Sequence, residues 1–156
     1  MISSTQKPDK LLQSKIVEST PTKKTAILVL GMHRSGTSCL TGILQGSGVN
    51  LGEVFTSNPY NKHGNREHAR IMALNDAVLD HNGGAWDVPV EVLDWTTEQS
   101  RERDSIINEL ASSEARHWGF KDPRTLLTMP FWQEVIQPQI IGTFRHPLRV
   151  AMSLHQ

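Results

Sequence analysis

A chain of 156 residues, 37% of them apolar, can bury one core and is short for two, and its sixteen basic residues cancel its sixteen acidic ones. That balance excludes a protein whose affinity rests on blanket attraction to nucleic acid or an acidic membrane. One cysteine, Cys39, excludes an internal disulfide framework, and with no apolar run near the roughly 18 residues of a membrane span and no signal-like N-terminus, a cytoplasmic protein is expected.

Residues 1–24 are polar, with five lysines against Asp9 and Glu18 and only Leu11, Leu12, Ile16 and Val17 as apolar scraps. They predict a flexible leader to a single domain over residues 25–156. TAILVL, residues 25–30, is a continuous apolar run, the pattern of a strand covered on both faces of a parallel sheet. A helix is expected from Ser35 to about Gln45, ended by the glycines of GSGVNLG. From Asn65 to about Asp80 the apolar spacing turns helical, with Glu67, Ile71, Leu74 and Val78 on one face, and residues 81–84 stop it. Residues 97–114 predict another helix, charged outside, with Ile106, Ile107 and Leu110 inside. HWGF, residues 117–120, reads as a short strand, Leu126 to Ile136 as a helix, and QIIGTF, residues 139–144, as a second buried strand.

Pro147 suits the first turn of a last helix, and LRVAMSLHQ continues it without a stop signal. Either that helix frays or the chain is the front part of a longer protein; three strands are few for an α/β sheet, which favours the second. Alternating strand and helix signals predict an α/β fold, a parallel sheet flanked by helices.

Between the first strand and the first helix lies GMHRSGTS, residues 31–38. Gly31 and Gly36 are spaced as in the phosphate-binding G-x-x-x-x-G-K-[ST], but Thr37 stands where the lysine belongs, followed by Ser38. A strand, a glycine turn and a helix N-terminus aim backbone N–H groups at one point, which suits a phosphate or sulfate group. Thr37 supplies no charge; the cation inside the loop is Arg34, with His33 as a pH-dependent donor beside it. A transferred group less charged than a γ-phosphoryl fits that change, and a sulfuryl group is one. The same letters also suit a turn that merely packs a helix on a strand.

GMHRSGTS resembles the 5′-phosphosulfate loop of sulfotransferases that use 3′-phosphoadenosine 5′-phosphosulfate (PAPS), in the branch with Arg where other branches carry Lys. The resemblance implies a P-loop NTPase-like fold, with Arg34 on the bridging and terminal oxygens, His33 beside it, and Ser35, Gly36, Thr37 and Ser38 around the 5′-phosphate. A second family motif, an Arg after a later strand and a Ser eight residues on, is similar to FRHPLRVAMSL. It implies Arg145 and Ser153 on the 3′-phosphate, and an arginine fork suits that group. The resemblance spans residues 25–156, implies that the C-terminal part of the domain lies further on, and implies transfer of a sulfuryl group to a hydroxyl or amine acceptor without a metal.

Such a transfer needs a group to take the acceptor's proton. Glu67, at the start of a helix on its core-facing stripe, is the candidate; desolvation raises a carboxyl pKa there while the helix dipole lowers it. The resembling branch brings a glutamate to this role in N-P-x-x-x-G-x-x-E, matched loosely by Asn58, Pro59, Gly64 and Glu67, with Asn65 and Arg66 where bulkier residues are usual. An acid that only complements the dipole has the same signature, and His33 is the other candidate base. His63 and His68 lack the i, i+4 spacing of a zinc helix and a third ligand, so no metal is expected.

WGFKDPRT, residues 118–125, resembles a segment near the cleft of these sulfotransferases. Lys121 and Arg124 then add positive potential for an anionic donor or substrate; alternatively Lys121 and Asp122 form a solvated loop turned by Pro123. Trp86, Trp95, Trp118 and Trp132 are expected in the core or cleft wall, and Cys39 as a buried structural thiol. Two rivals remain, a P-loop kinase or nucleotide-binding protein and an inactive fragment that binds the desulfated donor. Acceptor identity and oligomeric state leave no mark in the sequence.

Overall fold

A computed structural model of the chain describes residues 24–57 and 64–155. Most of the expected leader, and with it Asn58, Pro59 and His63, lies outside the described residues. The elements run β1 (Thr25–Leu30), α1 (Thr37–Gly46), α2 (Ala69–His81), α3 (Thr97–Ser112), β2 (His117–Lys121), α4 (Thr125–Gln133), β3 (Gln139–Gly142) and α5 (Pro147–Leu154). The strands form one sheet in the order β2-β1-β3, parallel throughout, with Leu28 level with Phe120 and Ile140.

Side chains alternate across a strand, so β1 serves two cores. Ala26, Leu28 and Leu30 join Trp118 and Phe120 against α2, α3 and α4, where Ile71, Leu74, Val78, Ile106, Leu110, Phe131 and Trp132 are buried. Ile27 faces the other way, with Val49, Leu51 and Leu44 of α1. Helices therefore cover both faces, and the apolar run of β1 has the burial that it predicts. Trp95 packs against the larger core, while Trp86 stays half exposed.

Local chemistry sets several boundaries. A capping box starts α3: Thr96 Oγ1 accepts from the Gln99 N–H at 3.1 Å, and Gln99 Oε1 accepts from the Thr96 N–H at 2.7 Å. Pro147 occupies the first turn of α5, and His146 Nδ1 accepts from the Leu148 N–H at 3.3 Å. Asn75 of α2 ties α4 to the core: its Oδ1 accepts from Thr128 Oγ1 at 2.7 Å and Trp132 Nε1 at 2.9 Å, and its Nδ2 donates to Thr125 Oγ1 at 3.2 Å.

Several expectations change, among them the ends of α4 at Gln133 instead of Ile136 and of β3 at Gly142 instead of Phe144. The first helix begins at Thr37, not Ser35, because Gly36 has a left-handed backbone with φ 100° that ends the turn before it. The second begins at Ala69, not Asn65, because the chain at 66–68 pairs with 54–55 instead: the Phe55 N–H donates to the Glu67 carbonyl at 3.1 Å, and the Arg66 N–H to the Phe55 carbonyl at 2.9 Å. Strand β3 was expected to be buried and is mostly exposed: among the described residues only its Ile141 packs against a core, whereas the other edge strand, β2, is covered by α3 and its neighbours. Phe144, Leu148 and Met152 beyond it are exposed as well. Among the described residues no helix is long and apolar enough to cross a membrane.

Replacing Asn75 with Ala strands the buried indole N–H of Trp132 and removes a hydrogen bond from the buried hydroxyls of Thr125 and Thr128. We expect a loss of about 2–4 kcal/mol of stability, read as a lower urea midpoint at unchanged slope.

Candidate functional site

The carboxyl ends of three parallel strands share one edge of the sheet, and the loops leaving them meet there. Gly31 leaves β1 against the loop that follows β3: a Cβ on it would stand 2.6 Å from Thr143 Oγ1, and its φ of 152° disfavours any side chain. Ser35 closes the turn, its Oγ donating to the Met32 carbonyl at 2.6 Å and meeting Thr143 Oγ1 at 2.9 Å. The Ser35 hydroxyl is thus committed to the loop's own interior. Gly36, the N-cap of α1, offers no side chain to cap it; the Cys39 N–H donates to the Gly36 carbonyl at 3.1 Å, and the N–H groups of Thr37 and Ser38 have no partner among the described residues and can meet a ligand.

Arg34 has a left-handed backbone, φ 64°, which costs a residue with a side chain about 1–2 kcal/mol. From there its Nε donates to Ser153 Oγ at 2.9 Å, while Arg145 Nη1 donates to the Arg34 carbonyl at 3.0 Å. Residues more than a hundred positions apart thus converge on one loop. Beside them, Ser38 Oγ donates to the Asn65 carbonyl at 3.1 Å, which fixes the 64–67 segment on the first turn of α1.

Glu67 closes the opposite wall. It is buried, as expected, but it sits in the extended segment before α2 and not on the helix. Lys121 Nζ lies 2.5 Å from its Oε1, and Asn65 Nδ2 donates to its Oε2 at 2.6 Å. Lys121 is only 3% exposed and Asp122 not at all, so the solvated-loop reading of these residues is wrong. Strand β2 carries them inward to the edge of the cleft. Arg124 turns away instead: it donates to Asp76 Oδ1 at 2.5 Å and to both Asp122 oxygens at 3.2 Å. Burial pushes the Asp122 carboxyl above the usual range even so, with the charge of Arg124 pulling it back.

Several of these residues line a cavity of about 780 Å³. His33, Arg34, Gly36, Thr37, Ser38, Glu67, Lys121, Arg145 and Ser153 border it; Ser35 and Arg124 do not. No family model, curated protein or solved structure matches this chain. Cys39, expected to be buried, is exposed and borders the cavity, because it lies on the outward side of the first turn of α1. Among the lining residues not read from the sequence as site residues are Gly42 and Ile43 of α1, and Asn65 and Arg66, which were noted there only as departures from a pattern. Among the described residues no three His, Cys, Asp or Glu side chains group as metal ligands.

His33 packs edge-on to Trp86 at 5.4 Å, and its Nε2 is buried without a hydrogen-bond partner among the described residues. Burial first, then the charges of Arg124 and Lys121, hold its pKa below 6.5 against a weaker pull from Asp122. His68 is likewise lowered by burial, with Glu109 at 3.9 Å opposing.

Two outcomes follow from this geometry. Lys121→Met leaves the Glu67 carboxylate buried without its cation and should cost about 3–5 kcal/mol, with Lys121→Met/Glu67→Gln recovering most of it; urea denaturation reads both. Just below pH 6.5 the unfolded chain takes up protons at His33 and His68 more readily than the folded chain, so the unfolded state binds more protons there. Stability should therefore fall as pH drops from 6.5 through the lowered pKa values. Thermal midpoints between pH 7.5 and 5 test this, with a shallower slope expected for His33→Gln.

Proposed function

We propose that the chain is a P-loop NTPase-like domain that binds PAPS and transfers its sulfuryl group to a hydroxyl or amine of an acceptor. The observation that carries the reading is the meeting of Arg34, Arg145 and Ser153 at the uncapped N-terminus of α1. Neither guanidinium is paired with a carboxylate among the described residues, so both charges are available to an anion. The donor offers two anionic ends, and the two arginines come from the two loops that would meet them.

In the transfer, the acceptor oxygen or nitrogen bonds to sulfur as the bond from sulfur to the phosphate oxygen breaks. Both electrons of that bond stay on the phosphate, and the acceptor proton passes to a base. Arg34 stabilises the charge growing on the leaving phosphate, and preorganised donors of this kind act without reorganising. Glu67, beside Lys121 on the cleft wall, takes the proton. His33 is a second choice of base, favoured by its unpartnered Nε2 and its neutral form near pH 7.

A kinase needs a cation at the γ-phosphate and a carboxylate free to hold its metal. Strand β3 leads to Arg145, and Asp122 at the end of β2 is occupied by the main chain and guanidinium of Arg124.

Calorimetry with 3′-phosphoadenosine 5′-phosphate (PAP) and transfer of radiolabelled sulfate from PAPS across an acceptor library test the proposal. Arg34→Ala should lower turnover by about two to three orders of magnitude. Near-normal turnover in that variant removes Arg34 from the mechanism, PAP binding without transfer leaves a binding module, and tight magnesium-dependent ATP binding restores the kinase reading. Glu67→Gln and His33→Gln separate the bases, since loss of the true base costs about 10²- to 10⁴-fold.

A further inference from the structure

The cleft has a third guanidinium that the donor does not employ. Arg66 borders the same cavity as Arg34 and Arg145, and its backbone is also left-handed, with φ 54°. Its N–H is tied to the Phe55 carbonyl at 2.9 Å, and its side chain lies along α1 over Gly42. A Cβ at Gly42 would stand 2.9 Å from Arg66 Nε, so the close approach depends on glycine there. Nη1 donates to Gln45 Oε1, a neutral partner.

An arginine has five N–H donors, and the described residues take up one of these. Arg70, Arg103 and Arg124 each pair with at least one carboxylate, whereas Arg66 pairs with none among the described residues. Glu67 is the only carboxylate bordering the cavity among the described residues, and Lys121 already holds it. The cleft is thus more positive than its two donor-facing arginines require.

Position decides what the surplus charge addresses. Gly42 lies five residues beyond Thr37, about 7–8 Å along α1 from the end where the donor phosphate is read to bind. Arg66 is also the chain neighbour of Glu67, so an acceptor that delivers its proton to Glu67 lies against a wall that continues as Arg66. We propose that Arg66 recognises a carboxylate, sulfate or phosphate group carried by the acceptor, which makes the acceptor an anionic molecule. The inference rests on the donor reading, because that reading assigns Arg34 and Arg145 elsewhere.

Calorimetric titration of the whole chain with inorganic sulfate, with and without saturating PAP, tests it in wild type, Arg66→Gln and Gly42→Ala. The second variant displaces the guanidinium but keeps its charge, and it guards against poor folding of the first. We expect sulfate to bind the PAP-saturated wild type and to bind each variant at least about tenfold more weakly, with PAP affinity unchanged within about threefold. Equal sulfate binding in wild type and both variants, or none to the PAP-saturated wild type, overturns the proposal. A tenfold loss of PAP affinity in Arg66→Gln assigns the side chain to the donor and overturns it too. Failure of PAP to bind the wild type sinks the donor reading instead, and the titration without PAP then still reports whether Arg66 holds an anion.

Discussion

Parallel pairing of β1 with both of its neighbours is the constraint from which the cleft follows. It places Leu30, Lys121 and Gly142 at the same edge of the sheet, so the three loops that leave them must share that space. Gly31 admits the contact with Thr143, and the β3 loop then brings Arg145 onto the Arg34 carbonyl. Strand β2 delivers Lys121 to the same edge from the other side, where Glu67 meets it. In open parallel sheets this edge is where ligands bind, because helix N-termini and loop residues converge there.

The chemistry of the edge is electrostatic. Three guanidinium groups border one cavity without a carboxylate partner among the described residues, while the one carboxylate present is neutralised at 2.5 Å. Such crowding of like charge works against the compact state unless an anion relieves it. Backbone strain has collected in the same place. Among the described residues the two non-glycine positions with positive φ are Arg34 and Arg66, and both border the cleft. Strain of this kind persists where the surroundings over-determine it, as the hydrogen bonds of both residues do here.

Much of the architecture was legible because it rests on local pattern. The apolar run of TAILVL announced β1, and helical spacing announced the buried face of α2 through Ile71, Leu74 and Val78. Departures arose where a distant partner overruled local preference. Residues 66–68 carry helical spacing but pair with 54–55, so Glu67 reached the cleft on an extended segment. QIIGTF has the composition of a buried strand but is mostly exposed, because burial depends on which elements cover a strand's faces, and composition does not encode them. Cys39 looked like a core residue by type and is exposed by its place in the helix turn.

By itself the sequence determined the order of strands and helices, the glycine loop behind β1, and two arginines each following a strand, since periodicity and turn chemistry act over a few residues. Only the tertiary structure decided that Arg34 and Ser153 touch, that Lys121 is buried against Glu67, and that Arg66 lies over Gly42. Those contacts join segments far apart in the chain, and their geometry exists only once the sheet has ordered its strands. Charge was countable in advance; which charges would be left without a partner was not, because pairing is settled by proximity in the folded chain.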